Sequence, residues 1–131
     1  MRTMHLHTFP KSPFYIKALE IFTLSRGIAS YLIDDITIRD PHNYEDPTLY
    51  LTGDMVQQSV ALGPEILKAE QHLFQEEKRK HIASVERLSK LLHANCNRLE
   101  KTHSNGKDFL PILRKELKKF RTLQHTWLLT L

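Results

Sequence analysis

The chain of 131 residues has a single cysteine, Cys96, and only four glycines. One cysteine excludes an internal disulfide and any zinc site built from several thiolates. Four glycines leave little material for the loops that cradle phosphates, and no Walker-type loop, dinucleotide-binding motif or nucleophilic triad pattern is present. We therefore expect no cofactor and no catalytic residues, and we expect Cys96 to be a small core residue.

Long apolar runs are also missing from the sequence. No stretch approaches the roughly 18–20 residues that a membrane-spanning helix needs. The first residues lack the apolar segment and the small-residue cleavage site of a signal peptide. We expect a cytoplasmic protein without a membrane partner, in which residues 1–12 form a flexible N-terminal segment and residues 13–131 form one domain.

Positive charge is concentrated in the second half of the chain. Residues 66–131 hold 14 Lys and Arg against 7 Asp and Glu, whereas residues 1–65 hold 5 against 8. The formal net charge of the whole chain is +4. A basic half beside a mildly acidic one is typical of a protein with one face suited to polyanions.

Apolar residues at three- and four-residue spacing predict four helices, over roughly 13–34, 47–71, 75–103 and 108–129. Ser12-Pro13 and Asp46-Pro47 each combine a capping side chain with proline at the first helical position, which predicts a helix start. Four helices of about 20 residues with short connections predict an all-α, antiparallel up-down four-helix bundle.

Each predicted helix has an apolar stripe that we expect to face the core. The first two stripes are Phe14, Ala18, Ile21, Phe22, Ser25, Ile28, Ala29 and Leu32, then Leu49, Val56, Ser59, Val60, Gly63, Ile66, Leu67 and Leu73. The last two are Ile82, Val85, Leu88, Leu92, Cys96 and Leu99, then Phe109, Leu113, Leu117, Phe120, Leu123 or Gln124, and Trp127.

Several segments interrupt these patterns. Ile36-Thr37-Ile38 is compatible with a short extended piece, and Gly63-Pro64 predicts a kink within the second helix. No Gly or Pro lies between Gln71 and Lys80, so one long bent helix is the alternative to separate second and third helices. Ser104-Asn105-Gly106 predicts the end of the third helix, and Pro111 is tolerated in the first turn of the fourth.

The predicted nucleic-acid-binding residues are the cations of the fourth helix: Arg114, Lys115, Lys118, Lys119 and Arg121. His125 continues their side, and the third helix adds Lys80, Arg87, Lys90, Arg98 and Lys101. Cations spaced along a surface bind phosphates without reading bases. The aromatic residues nearby fall on core stripes, which disfavours stacking on single-stranded bases. The alternative interpretation is a solubilising face, or a face that docks an acidic protein.

Two further motifs involve His103. Arg98 and His103 have the Arg-x-x-x-x-His spacing of the HEPN ribonucleases, which are helical bundles, although Leu99 stands where that family usually has a polar residue. A phosphate-holding Arg and a general base suit RNA cleavage, so such a ribonuclease is an alternative hypothesis. Glu100 and His103 have di-iron spacing, but no second Glu-x-x-His exists, and we expect no metal site.

Two segments carry a family resemblance. The segment Lys11–Leu24, KSPFYIKALEIFTL, is similar to the opening helix of the bacterial four-helix-bundle family named after proteins encoded in ribosomal RNA intervening sequences. Leu62–Ala69, LGPEILKA, resembles that family's second-helix pattern Ile-Gly-Ala-Asn-Ile-x-Glu-Ala. Glu65 stands in place of Asn and Lys68 in place of Glu, and the loop from Asp35 to Glu45 is longer than usual.

The same superfamily includes the accessory variability determinants of diversity-generating retroelements, which have a tryptophan that Trp127 resembles. The resemblance implies a non-enzymatic homo-oligomer, typically a pentameric ring with a basic surface for nucleic acid. In the retroelement branch it also implies a reverse transcriptase as partner. Our first interpretation is therefore an oligomeric bundle that binds RNA or DNA independently of sequence; the alternatives are the ribonuclease and a structural adaptor without nucleic-acid binding.

Overall fold

The computed structural model describes residues 11–39, 41–42, 46–102 and 108–131. These residues form four helices and no strand: α1 (Pro13–Arg39), α2 (Pro47–Gln71), α3 (Gln75–Glu100) and α4 (Leu110–Thr130). The all-α prediction is confirmed. Residues 72–74 separate α2 from α3, so the alternative of one long bent helix is wrong.

The helices alternate in direction around a shared core. α1 packs against α2 and α4, and α3 packs against the same two helices, while the diagonal pairs do not adjoin in the described part of the chain. Near the start of α1, the Phe14 ring lies 4.3 Å from that of Phe120 and 4.7 Å from that of Trp127, late in α4. Tyr31, late in α1, contacts Phe109 just before α4. This is the predicted antiparallel four-helix bundle.

Both predicted capping signals are confirmed. The Tyr15 amide donates to Ser12 Oγ at 3.1 Å, and the Thr48 amide donates to the Asp46 carboxylate at 2.8 Å. Pro111 lies in the first turn of α4, where its missing N–H leaves no helical bond unmade. Each cap satisfies a backbone N–H that has no partner inside its own helix.

The expected extended piece at Ile36-Thr37-Ile38 is wrong, because α1 continues to Arg39. Ile36 follows Leu32 by four residues and is buried with it, so the core stripe runs a full turn further than we expected. An ion pair between Asp35 and Arg39, at 2.9 Å, bridges the last turn. The loop after α1 is therefore shorter than the Asp35–Glu45 segment that we compared with the family.

The core face of α2 was predicted in part, since Ser59, Gly63 and Ile66 are buried as expected. Val60 and Leu73 are exposed and Leu49, Val56 and Leu67 only half-buried, whereas the buried set is Thr48, Thr52, Met55, Ser59, Leu62, Gly63, Ile66 and Ala69. Thr52 Oγ1 donates to the carbonyls of Thr48 and Leu49, and Ser59 Oγ donates to Val56. These hydroxyls are satisfied within their own helix, so their burial costs little.

α2 is unbroken at Gly63-Pro64. Gly63 lies against Tyr15 of α1: a Cβ atom at this position would stand 3.4 Å from Tyr15 Cε1 and 3.7 Å from Leu19 Cδ2. α1 and α2 therefore approach closely beside the proline, at a distance at which an alanine side chain would make ordinary van der Waals contact. Gly63 is buried, as its position in the predicted stripe of the second helix indicated.

In α3 and α4 most of the predicted stripe is buried, including Cys96. Ile82, Leu123 and Gln124 are half-buried, as is Phe22 in α1. Phe109 was wrongly placed in the core: it is 43% exposed, and Leu110 is fully buried instead. Between helices, the buried Asn95 of α3 donates from Nδ2 to Gln58 Oε1 of α2 at 2.8 Å.

Three sequence predictions fall partly outside the described residues. The N-terminal segment 1–12 is described only at Lys11 and Ser12, and the Ser104-Asn105-Gly106 stop is not described. α3 ends at Glu100 rather than at 103, and the Lys101 amide bonds the Arg98 carbonyl there.

Candidate nucleic-acid interface

The two helices that carry most of the cations, α3 and α4, lie side by side in the bundle. At one end, the Cys96 thiol is 3.7 Å from the Leu110 carbonyl oxygen, and Arg114 pairs with Glu100. Burial raises the pKa of the Cys96 thiol to about 12, helped by the nearby charge of Glu100. Cys96 is thus a core residue with an unreactive thiol.

Two of the five predicted phosphate-binding cations are already paired with carboxylates. Arg114 is engaged by Glu100, and Lys119 Nζ is 2.9 Å from Glu116. Glu116 also accepts from Lys17 of α1 at 2.9 Å. The hydrogen bonds from Lys119 and Lys17 lower the pKa of Glu116. Arg114 and Lys119 therefore offer less free positive charge than the sequence suggested.

The other three, Lys115, Lys118 and Arg121, are exposed and form no ion pair with a described residue. On α3, Arg87, Lys90, Arg98 and Lys101 are likewise exposed without an ion-pair partner among the described residues, whereas Lys80 pairs with Glu77 at 3.1 Å. An unpaired Lys or Arg can neutralise a phosphate without first leaving a carboxylate, and it then releases a counterion condensed on the nucleic acid, which is the source of affinity.

Positive charges on α4 also act on the imidazole of His93 in α3. Burial lowers the pKa of His93, and the positive charges of Arg121 and Lys118 lower it further. His93 Nε2 is buried without a hydrogen-bond partner in the described part of the structure. Lys118 and Arg121 are thus close enough to α3 to form one positive region with it.

A cleft of about 170 Å³ lies between the same two helices. It is lined by Glu86, Ser89, Lys90, Arg121, Gln124, His125 and Leu128. The sequence places Lys90 on a basic face of the third helix and Arg121 and His125 on a basic face of the fourth. It does not predict that these residues meet in one cleft. Their proximity depends on how α3 and α4 are aligned, which helical periodicity within one chain segment does not determine.

The residues of the alternative hypotheses are placed only in part. Arg98 is exposed on α3, whereas His103, the other member of the ribonuclease pair, lies outside the described residues. Glu100, the other half of the Glu-x-x-His motif, is bound to Arg114. No group of three or more His, Cys, Asp or Glu side chains suited to a metal ion is found within the described ranges.

No family model, no curated protein and no solved structure matches this chain. The resemblance to the intervening-sequence family therefore stays a prediction. Glu65 and Lys68, the two residues that replace the polar residues of the family pattern, contact each other: Lys68 Nζ is 3.6 Å from Glu65 Oε2. Glu65 Oε1 also lies 3.2 Å from His81 Nδ1 of α3.

None of the four described helices has a stretch long and apolar enough to cross a membrane.

Proposed function

We propose that this protein is a non-enzymatic, oligomeric helical bundle that binds RNA or DNA through the exposed face of α3 and α4. The observation that supports this proposal best is the set of unpaired cations on two adjacent helices. Arg121 of α4 lines a cleft with Lys90 of α3, and Lys115 and Lys118 are exposed on the same helix as Arg121. Cations of this kind bind the phosphate backbone without reading base sequence.

The ion pairs divide the five predicted residues into two groups. Lys115, Lys118 and Arg121 are free to contact phosphates and to release the counterions condensed on the nucleic acid, so they supply most of the affinity. Arg114 and Lys119 must first leave Glu100 and Glu116, and they contribute less. A ribonuclease activity is not proposed, because no observation favours it.

The test is a gel-shift titration with the full chain, using both double-stranded DNA and single-stranded RNA at several salt concentrations. Replacing Lys115, Lys118 and Arg121 by Gln is expected to weaken binding at least tenfold. The slope of log affinity against log salt should become shallower by roughly two to three for three lost phosphate contacts.

A matched control removes the same charge away from α3 and α4, with Lys11, Arg26 and Lys68 replaced by Gln. This triple variant should bind with at most about a threefold loss. Wild-type binding that does not change with salt, or an equal loss in both triple variants, would contradict the proposal.

The oligomeric part of the proposal is supported by the outer face of α1. Ile16, Leu19 and Tyr31 are 46%, 44% and 45% exposed, and Phe109 packs beside Tyr31. These residues line two adjoining apolar grooves of about 470 and 400 Å³. A helix that is apolar on both its inner and outer faces is typical of one that is covered on both sides.

Light scattering tests this part directly. The wild type should have a mass that is a multiple of the 15.4 kDa chain, five-fold if the family resemblance holds, and Leu19→Lys should lower it. A wild-type mass of one chain would contradict the oligomer. The resemblance also makes a reverse transcriptase the protein partner to test in co-purification.

A further inference from the structure

We propose that the cleft between α3 and α4 is a binding site for a single phosphate group. Its walls bring Lys90 of α3 together with Arg121 of α4, and neither has an ion-pair partner among the described residues. Phosphate binding by the cleft is independent of the proposed function. That the phosphate belongs to a nucleic acid rests on that function.

The size of the cleft selects a small ligand. Its volume is about 170 Å³. This is below the ~300–1,000 Å³ of pockets that enclose drug-sized ligands. A phosphate group fits such a space, whereas a whole nucleotide extends beyond it.

A buried hydroxyl supplies the second observation. Ser89 lines the cleft and is only 2% exposed, and its Oγ has no hydrogen-bond partner in the described part of the chain. A buried donor without a partner is costly, and a serine in a helix can avoid the cost by bonding a carbonyl one turn earlier. The Ser89 hydroxyl is buried beside the cleft, so a rotation about its χ1 angle would turn it toward the cleft, where a phosphate oxygen would accept its hydrogen.

The electrostatics favour an anion despite one acidic side chain. Lys90 and Arg121 both contribute positive charge, and Arg121 with Lys118 already lowers the pKa of neighbouring His93. Glu86 also lines the cleft and opposes an anion. Because Glu86 forms no ion pair with a described residue, its carboxylate weakens phosphate binding without being needed to hold the helices together.

The first experiment measures inorganic phosphate binding to the full chain by ³¹P NMR or calorimetry, against chloride at equal ionic strength. Arg121→Gln is expected to weaken phosphate binding at least tenfold, because a hydrogen bond to a charged group is lost. Ser89→Ala should weaken it several-fold. Glu86→Gln should strengthen it about threefold or more, a gain that misfolding cannot produce.

Arg26→Gln is the matched control, since it removes an exposed cation of α1 that does not line the cleft. It should change the phosphate affinity less than twofold. Phosphate binding no tighter than chloride, or equal losses in Arg26→Gln and Arg121→Gln, would overturn the site. An unchanged affinity in both Ser89→Ala and Glu86→Gln would overturn it as well.

Oligonucleotides distinguish the source of the phosphate. If the cleft takes a terminal phosphate, a 5′-phosphorylated strand binds the wild type more tightly than its 5′-hydroxyl form, and Ser89→Ala removes the difference. If it takes a backbone phosphate, both strands bind equally and Ser89→Ala weakens both. Phosphate binding without any oligonucleotide binding would leave the cleft standing and refute the proposed function; the reverse pattern would refute the cleft alone.

Discussion

Trp127 Nε1 donates a hydrogen bond to Glu70 Oε2 at 2.8 Å, which joins the last turns of α4 and α2 across the diagonal of the bundle. The backbones of these two helices do not adjoin within the described ranges. The indole ring also lies against Phe14 at the start of α1. One side chain therefore connects three helices at this end of the core.

Trp127→Phe keeps an aromatic ring but removes the donor to Glu70. We expect the free energy of unfolding to fall by about 1.5–3 kcal/mol, the usual effect of losing a hydrogen bond to a charged group. Urea denaturation measures it. Glu70→Gln is the control, because its amide oxygen still accepts the indole hydrogen and the loss should stay below ~1 kcal/mol. A larger effect in Glu70→Gln than in Trp127→Phe would contradict this account.

Gly27 is an exposed glycine in the interior of α1, and a Cβ atom there would meet nothing within 4 Å. Gly27→Ala should therefore raise the free energy of unfolding by about 0.5–1 kcal/mol, through reduced backbone freedom in the unfolded chain. Gly63→Ala should gain at least as much, because its methyl group would also make ordinary van der Waals contact with Tyr15 Cε1 at 3.4 Å and Leu19 Cδ2 at 3.7 Å. Chemical denaturation of the two variants side by side measures the difference. A loss of stability in Gly63→Ala would contradict this account.

Cys96 provides a test of core integrity by thiol reactivity. A pKa raised from 9.0 to about 12 leaves roughly a thousandfold less thiolate at neutral pH. Ellman's reagent should react with the folded protein at least a hundredfold more slowly than with the chain in guanidinium. Rapid reaction of the native protein at a rate independent of unfolding would show that Cys96 is accessible.

His93 predicts how stability depends on pH. Its pKa in the folded state lies below the ordinary value of 6.5, so the unfolded chain takes up a proton first as the pH falls. The free energy of unfolding should therefore decrease below about pH 6.5, by at most ~1.4 kcal/mol per pH unit for this one proton.

Replacing His93 by Leu removes the titrating group and should flatten that decrease between pH 7 and pH 5. Urea titrations at several pH values compare this variant with the wild type. A wild-type slope retained by His93→Leu would assign the pH dependence to other groups.

Helix positions were predictable from the sequence because capping residues and apolar spacing are local signals. The α2 face was predicted only in part: Ser59 was expected in the core, but Thr48 and Thr52 were missed because they are polar, although Thr52 satisfies its hydroxyl on its own helix. The stripe also included Val60, which is exposed. Ile36 was missed for a related reason, since neighbouring Asp and Thr residues concealed the continuation of the stripe.

The candidate site was predicted less completely than the fold. The cations of α4 were identifiable from the sequence, but their pairing was not: Arg114 contacts a carboxylate of α3, and Glu116 is shared with Lys17 of α1. Such contacts join residues far apart in the chain. For the same reason, no sequence pattern pointed to Ser89 as a buried hydroxyl beside Lys90 and Arg121.

The amide pair of Asn95 and Gln58 restricts how α3 can be aligned along α2. Apolar side chains tolerate sliding by one helical turn, because they exchange one hydrocarbon neighbour for another. An axial shift of ~5.4 Å would separate the two amides and leave Asn95 without a partner in the core. A single polar contact thus excludes the shifted packings that a core made only of aliphatic residues would permit.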